Sequence, residues 1–142
     1  MELEERKPVN KAHVQRRVRD WKRRVSKLYK DIQNWLTDKP EYTLVTGQPM
    51  RMFEEPMEQF VVQPQNIDTA DLFKDKQLLL TFKPKGLWVI GANGRIDIIS
   101  RKGNYILIDY SEQFEKPKWH IYTTQDRKNG KPFNKTELLN IL

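Results

Sequence analysis

The sequence predicts an α+β fold in which a long N-terminal amphipathic helix packs on a five-stranded antiparallel β-meander, with a short C-terminal helix. Apolar residues recur at helical spacing from Val14 to Trp35, which is the pattern of an amphipathic helix. Short apolar runs separated by turn residues fill positions 78–124, as in a series of strands. Asn134, followed three residues later by Glu137, is typical of a helix N-terminus.

Composition limits the class of protein. The chain has 142 residues and no cysteine, so we expect a single domain over residues 1–142 whose core needs no disulfide and no thiolate zinc site. No apolar run is long enough to span a membrane, and the first ten residues lack the apolar region of a signal peptide. We therefore expect a cytoplasmic protein with no membrane partner and no cofactor.

Charge is distributed unevenly along the chain. The formal net charge of +7 divides into +6 for residues 1–39, −4 for residues 40–77 and +5 for residues 78–142. Nine basic residues between Lys11 and Lys30 stand against a single acid, Asp20. An element this basic attracts polyanions or an acidic protein surface, over a range that depends on salt.

The basic residues fall on the first helix, within segment 1–39. Apolar residues at alternating spacings of 4 and 3 form a heptad-like seam, and Lys39-Pro40 ends the helical pattern. Basic residues occupy the opposite face and both flanks of this seam. The candidate residues for binding nucleic-acid phosphates or an acidic partner are Arg16, Arg17, Arg19, Lys22, Arg23, Arg24, Lys27 and Lys30.

Self-association of this helix is one interpretation of the heptad spacing. In a parallel dimer, however, Arg17 would lie near Lys22 of the other helix, and like charges disfavour that pairing. Trp21 and Trp35 are also bulky for a two-stranded seam. We therefore expect the helix to pack on the protein's own sheet, and a homodimeric parallel coiled coil is disfavoured.

Segment 40–77 is expected to be an irregular acidic connection that covers one face of the sheet. Four prolines interrupt it, whereas Thr43–Thr46 and Phe60–Val62 have the composition of short edge strands. Asp68 is a candidate N-cap for a short helix through residues 71–73.

The meander is expected to turn sharply at Asn93-Gly94, the strongest dipeptide signal for a two-residue hairpin loop. Consecutive apolar residues at Leu78–Leu80, Trp88–Ile90 and Tyr105–Ile108 are typical of strands that are covered on both faces. The long helix is expected to cover one face. The acidic connection, the C-terminal helix at residues 134–142 or another chain covers the other.

Signals for catalysis are scarce. His13 and His120 are the only histidines, and neither has a second ligand at the helical spacing typical of a metal site. The sequence has no nucleophile elbow around a serine, and Gly91–Gly94 lies between predicted strands, unlike a phosphate-binding loop. We therefore expect a protein that is not an enzyme and has no catalytic or metal-binding residues.

Two neighbouring predicted strands, Gly94–Ile98 and Ile106–Ser111, resemble the two-strand signature of the PD-(D/E)xK nuclease family. Asp97 and Asp109 match the two acidic positions that bind a divalent metal in that family, while Ser111 stands in place of its lysine. The resemblance implies a degenerate nuclease fold as a remote alternative. An odd loop between the strands places both carboxylates on one face, whereas an even loop separates them. The other interpretation is that Asp97 pairs with a neighbouring arginine and Asp109 ends a strand.

Two function classes follow from the basic helix. The first is a non-catalytic nucleic-acid-binding or nucleic-acid-associated accessory module, whose phosphate contacts are insensitive to sequence and weaken steeply with salt. The alternative is a protein-interaction module, such as a small subunit, an adaptor or an inhibitor, that docks on an acidic partner in a hetero-complex. An exposed apolar patch around Trp88, Ile90, Trp119 and Tyr122 would favour this second class.

Overall fold

A computed structural model describes residues 10–142 of the chain. Residues 1–9 of the predicted basic segment lie outside the described part. The helices are α1 (Lys11–Trp35), α2 (Glu55–Gln59) and α3 (Lys135–Asn140). The strands are β1 (Tyr42–Thr46), β2 (Met50–Met52), β3 (Gln65–Ile67), β4 (Ala70–Lys74), β5 (Gln77–Gly86), β6 (Arg95–Ser100), β7 (Gly103–Asp109), β8 (Trp119–Thr123) and β9 (Lys131–Pro132).

The predicted α+β architecture, with its N-terminal and C-terminal helices, is confirmed. The main sheet has seven strands in the order β1-β4-β5-β6-β7-β8-β9, and every neighbouring pair is antiparallel. The predicted number of five strands is wrong, because β1 and β4 from the preceding segment and β9 from the following one join the sheet. Within positions 78–124 the meander contains four strands, β5 to β8.

The connection between β5 and β6 differs from the predicted hairpin at Asn93-Gly94. Residues 87–94 form a loop, called here the 87–94 loop, whose tight turn is Ile90-Gly91 between the bridged residues Val89 and Ala92. Gly91 has the positive φ, 77°, that such a turn requires. Asn93 instead has a buried side chain, and its N–H donates to the Asp109 carbonyl at 2.7 Å. The dipeptide therefore starts the pairing of β6 with β7 and does not form the turn.

Segment 40–77 is far more regular than expected. It supplies β1 and β4 to the main sheet and adds a separate hairpin, β2–β3, with α2 between its strands. The helix expected after Asp68 is the strand β4, because Ala70 and Leu72 are buried at the two-residue period of a strand. Phe60–Val62 follows α2 as a turn and is not a strand. The strand expected at Thr43–Thr46 is present as β1.

Helix α1 packs on one face of the main sheet, as the sequence predicts. Its aromatic residues contact aromatic residues of strands and of the C-terminal region: Trp21 with Trp119, Tyr29 with Phe82, and Trp35 with Phe133, at centroid distances of 6.1, 6.2 and 5.5 Å. The seam residues Val14, Val18, Trp21, Val25, Leu28 and Ile32 are all buried in the core. The helix ends at Trp35, four residues before the predicted stop at Lys39-Pro40.

Helix α3 begins as predicted. The Asn134 side chain caps it by accepting a hydrogen bond from the Glu137 N–H at 3.0 Å. Leu138 and Ile141 are buried in the same core as α1. Both terminal helices therefore stabilise the same side of the sheet.

Gly94 and Gly103 test this packing, since they share positive φ values of 144° and 147° in different surroundings. A Cβ at Gly94 would lie 2.2 Å from Trp21 Cζ3, whereas nothing lies within 4 Å of a Cβ at Gly103. We expect Gly103→Ala to lower the free energy of unfolding by backbone strain alone, about 1–3 kcal/mol. Gly94→Ala should cost about 1–3 kcal/mol more, because the buried indole must move. Chemical denaturation measures both, and equal losses would contradict the close packing of Trp21 on Gly94.

Candidate functional site

The structure divides the eight basic candidates of α1 into two groups. Six are exposed and lie on one face of the helix: Arg16, Arg19, Lys22, Arg23, Lys27 and Lys30. The other two, Arg17 and Arg24, lie seven residues apart on the buried flank, with only 3% and 0% of their surface exposed. The exposed six are called here the basic stripe.

The basic stripe runs from Arg16 to Lys30, which is about 21 Å along the helix axis. Arg23 pairs with Asp20, and Lys27 pairs with Asp31. The other four members form no ion pair with a carboxylate among residues 10–142. The stripe therefore presents a cationic surface in which few charges are neutralised by the described protein.

Arg24 belongs to a buried ion-pair network that joins α1 to the sheet. Its Nε lies 2.7 Å from Asp20 Oδ2, and its Nη1 lies 2.6 Å from Asp109 Oδ2. The other Asp109 oxygen accepts hydrogen bonds from the N–H groups of Ser111 and Lys118, both at 2.8 Å. Because Asp109 is fully buried, Arg24 supplies the countercharge that its carboxylate requires.

Arg17 is buried without a comparable partner. Its Nη2 donates to Asn93 Oδ1 at 3.0 Å, which is a neutral acceptor, and its Nε has no hydrogen-bond partner. No carboxylate of residues 10–142 forms an ion pair with it. Burial, followed by the positive charge of Arg24, lowers the pKa of Arg17 to about 10. This pKa is below that of an arginine in the unfolded chain. At neutral pH, where Arg17 is charged, its burial therefore lowers the free energy of unfolding of the protein.

A cleft of about 340 Å³ opens beside Arg17. It is called here the Arg17 cleft, and its lining residues are Arg17, Trp88–Asn93 of the 87–94 loop and Tyr110–Gln113. The Glu54 carboxylate holds one end of this loop by accepting hydrogen bonds from the N–H groups of Leu87 and Trp88 at 2.9–3.1 Å. The Asn93 amide holds the other end by donating to Ser111 Oγ and to the Glu112 carbonyl, both at 3.2 Å.

Sequence reasoning missed this cleft and the roles of Trp88 and Asn93. The apolar residues that follow Trp88 predict a strand there, and the glycine that follows Asn93 predicts a turn. One signal for this site was present in the sequence. Asp109, an aspartate within an apolar strand, and Ser111, two residues later, are polar residues that need partners, but the same pair also resembles a nuclease motif. The structure uses these residues to position the Asn93 amide and the Arg24 guanidinium instead.

The two aspartates of the nuclease-like stretch do not converge. The loop between β6 and β7 is Arg101-Lys102, which is even, so Asp97 pairs across the sheet with Ile106 and Asp109 projects from the opposite face. Asp97 forms an ion pair with Arg95 at 2.7 Å. Within residues 10–142, no group of three or more His, Asp and Glu side chains is placed to hold a metal ion.

Comparison of the chain with known proteins adds no relative from which a role can be transferred. No family model, no curated protein and no solved structure matches it. No helix between residues 10 and 142 has the length and apolar character needed to cross a bilayer. Any function proposed for the chain therefore depends on the geometry and charge of its described residues.

The two buried arginines allow a matched test of their different surroundings. Arg24→Gln leaves Asp109 buried without a countercharge, so we expect it to lower the free energy of unfolding by about 3–5 kcal/mol. Arg17→Gln removes a buried charge and strands no carboxylate of the described chain, so we expect a loss of about 1 kcal/mol or less. Urea denaturation at neutral pH measures both. Equal losses would contradict the view that Arg24, unlike Arg17, balances the charge of a buried carboxylate.

His13 gives the protein a dependence on pH. Burial lowers its pKa below 6.5, and the positive charges of Arg17 and Arg16 lower it further. The unfolded chain then binds this proton more readily than the folded one, so stability falls as the pH drops below about 6.5. Between about pH 7.5 and pH 5.5, we expect the wild-type protein to lose more unfolding free energy than His13→Gln. His120→Gln controls for the loss of a histidine, and a stability difference that stays constant with pH would contradict a lowered pKa at His13.

Proposed function

We propose that the protein is a non-catalytic module that binds nucleic acid without sequence preference, through phosphate contacts of the basic stripe. The observation that carries the proposal is the exposure of six basic side chains on one face of a single helix, Lys11–Trp35. Positive side chains that contact phosphates position a protein on nucleic acid but do not read the bases. Arginine and lysine at successive turns of the helix suit a repeating line of negative charge.

The way α1 is anchored supports this use of the stripe. Its apolar seam is fully occupied by the core, and Arg24 is held by two carboxylates. The helix therefore cannot rotate about its axis to bring its exposed basic side chains into contact with the sheet. A fixed array of charges loses less conformational freedom on binding than charges carried on a mobile segment.

An acidic protein surface is the alternative partner for the same stripe. The apolar patch that would favour this alternative is not formed by the four residues named for it. Trp119 packs against Trp21 on the helix-covered face, whereas Tyr122 pairs across strands with Ile106 on the opposite face. Ile90 is fully exposed at the tip of the 87–94 loop. The stripe is thus the more continuous of the two candidate surfaces.

The test is a salt series with a labelled DNA or RNA duplex of arbitrary sequence. Six phosphate contacts predict that the logarithm of the binding constant falls with the logarithm of salt concentration with a slope of about −5. The stripe variant Arg19→Gln/Lys22→Gln/Arg23→Gln/Lys27→Gln retains two contacts, so we expect a slope of about −2 and much weaker binding at low salt.

A matched control separates the stripe from net charge. Lys83→Gln/Lys85→Gln/Lys116→Gln/Lys128→Gln removes the same four charges from exposed positions elsewhere, and we expect it to keep most of the wild-type slope. If both variants lost the same part of the slope, overall charge and not the position of the stripe would determine binding. No retention of the wild-type protein at low salt would overturn nucleic-acid binding, and the acidic protein partner would then be sought by co-purification.

A further inference from the structure

The Arg17 cleft has an unbalanced positive charge at its base. Arg17 is almost completely buried, since only 3% of it is exposed, and its hydrogen-bond acceptor is the neutral Asn93 amide. A buried ion without an ion-pair partner is unfavourable. The carboxylates of Asp20 and Glu54 favour the charged form of Arg17 only at longer range, because Asp20 is paired with Arg23 and Arg24 and Glu54 accepts from the N–H groups of Leu87 and Trp88. An anion that enters the cleft would supply the missing charge.

Three of the residues that line the cleft, Arg17, Trp88 and Ser111, also carry hydrogen-bond donors. Arg17 Nε and Trp88 Nε1 are both buried without a partner within the described chain. Ser111 Oγ accepts from Asn93 Nδ2, so its own hydroxyl proton is free to donate. A carboxylate uses two oxygens, whereas a phosphate monoester presents three terminal oxygens and carries about −1.5 to −2 charges at neutral pH.

Aromatic surface lies beside these donors. The Arg17 guanidinium carbon is 5.6 Å from the centroid of the Trp88 ring, and the Tyr110 side chain lines the same cleft and is partly exposed. Nucleobases stack on aromatic side chains without regard to sequence. At about 340 Å³ the cleft is near the lower limit for small-molecule pockets, so it suits one nucleotide and not a longer segment.

The cleft adjoins the basic stripe at one end. Arg16, the first member of the stripe, is next to Arg17 in the chain, and its guanidinium lies 4.5 Å from the centroid of the Phe114 ring. Phe114 in turn follows Gln113, which lines the cleft. A strand that contacts the stripe and runs toward the start of α1 therefore reaches the cleft with its last nucleotide.

We propose that the Arg17 cleft binds a phosphomonoester, with the phosphate on Arg17 and its nucleoside against Trp88, and that its source is the phosphorylated end of a nucleic-acid strand. The choice of this source rests on the proposed function of the stripe. A free mononucleotide presents the same chemistry, so the experiment must separate the two sources. Glu112 is the one carboxylate among the lining residues, and it opposes an anion at this position.

The experiment compares single-stranded 12-mers that carry a phosphate or a hydroxyl at the 5′ or the 3′ end, together with adenosine 5′-monophosphate, adenosine and inorganic phosphate. Binding is followed by calorimetry. For one of the two ends, we expect the phosphate to tighten wild-type binding about ten- to a hundredfold, which is the range for charged hydrogen bonds. Arg17→Gln should abolish this preference, and Trp88→Ala should weaken binding of the mononucleotide more than that of inorganic phosphate.

A second variant does not depend on changing a buried residue. Glu112 is exposed, and we expect Glu112→Gln to tighten binding of the mononucleotide about twofold or more, since it removes a repulsive charge from a partly screened position. The matched control is Glu115→Gln, because Glu115 is also exposed but does not line the cleft. Equal effects of the two substitutions would overturn a site at Arg17.

The outcomes separate this proposal from the proposed function. If the stripe variant loses binding of the 12-mers but still binds the mononucleotide, the cleft and the stripe are independent sites and both stand. If 12-mers bind equally with and without a terminal phosphate and the mononucleotide does not bind, the cleft is overturned while the stripe stands. If the mononucleotide binds but no 12-mer does, the strand end is overturned as the source, and nucleic-acid binding fails as well if the duplex of the salt series is also not bound.

Discussion

The buried ion pair between Arg24 and Asp109 sets the orientation of α1 on the sheet, and the surfaces described above depend on it. With Arg24 held against the end of β7 and the apolar seam buried in the core, the helix is fixed in rotation about its axis. Arg17 lies two turns earlier on nearly the same face and is therefore directed at the 87–94 loop. The basic stripe is turned to the outside for the same reason. Buried ion pairs often add little net stability, so the value of this one lies in the geometry that it specifies.

The two buried arginines of α1 thus differ in the groups that they contact. Both are buried, and both belong to the same flank of the seam. Arg24 meets two carboxylates, whereas Arg17 meets an amide oxygen. Keeping the Arg17 charge in this position costs the fold free energy, as its lowered pKa indicates. Strained or unbalanced groups of this kind concentrate at binding sites, which is why the cleft beside Arg17, and not the larger exposed surface, is the sharper hypothesis.

Sequence patterns predicted the elements whose signals are local. The seam of α1, the Asn134 cap of α3 and the antiparallel meander all follow from spacing or from a single capping residue. The prediction of a helix at strand β4 was wrong because the burial pattern of this strand is short and its pairing with β1 and β5 is long-range. No local signal indicates which partner an element will find across the sheet.

The candidate site was less predictable for a related reason. Arginines are seldom buried, so a sequence gives no cause to separate Arg17 and Arg24 from their six exposed neighbours. Their burial depends on Asn93 and Asp109, which lie 76 and 85 positions away along the chain. The basic character of the helix was visible, but its division into a surface and a buried flank required the tertiary structure.

The Asn93-Gly94 pair carries a further chemical consequence. Asparagine followed by glycine is the sequence in which the side-chain amide is most readily hydrolysed, by way of a cyclic imide formed with the next backbone nitrogen. In the folded chain the Asn93 amide is buried and engaged on both of its atoms, with Arg17, Ser111 and the Glu112 carbonyl, which holds it away from that cyclisation. Chains that age while unfolded would acquire a carboxylate at this position. The imide opens to aspartate or to isoaspartate, and isoaspartate adds one carbon to the backbone of the 87–94 loop. In chains that carry aspartate, refolding would place a carboxylate where Arg17 now contacts the Asn93 amide oxygen, so chemical ageing would give this buried charge an ion-pair partner within its own chain.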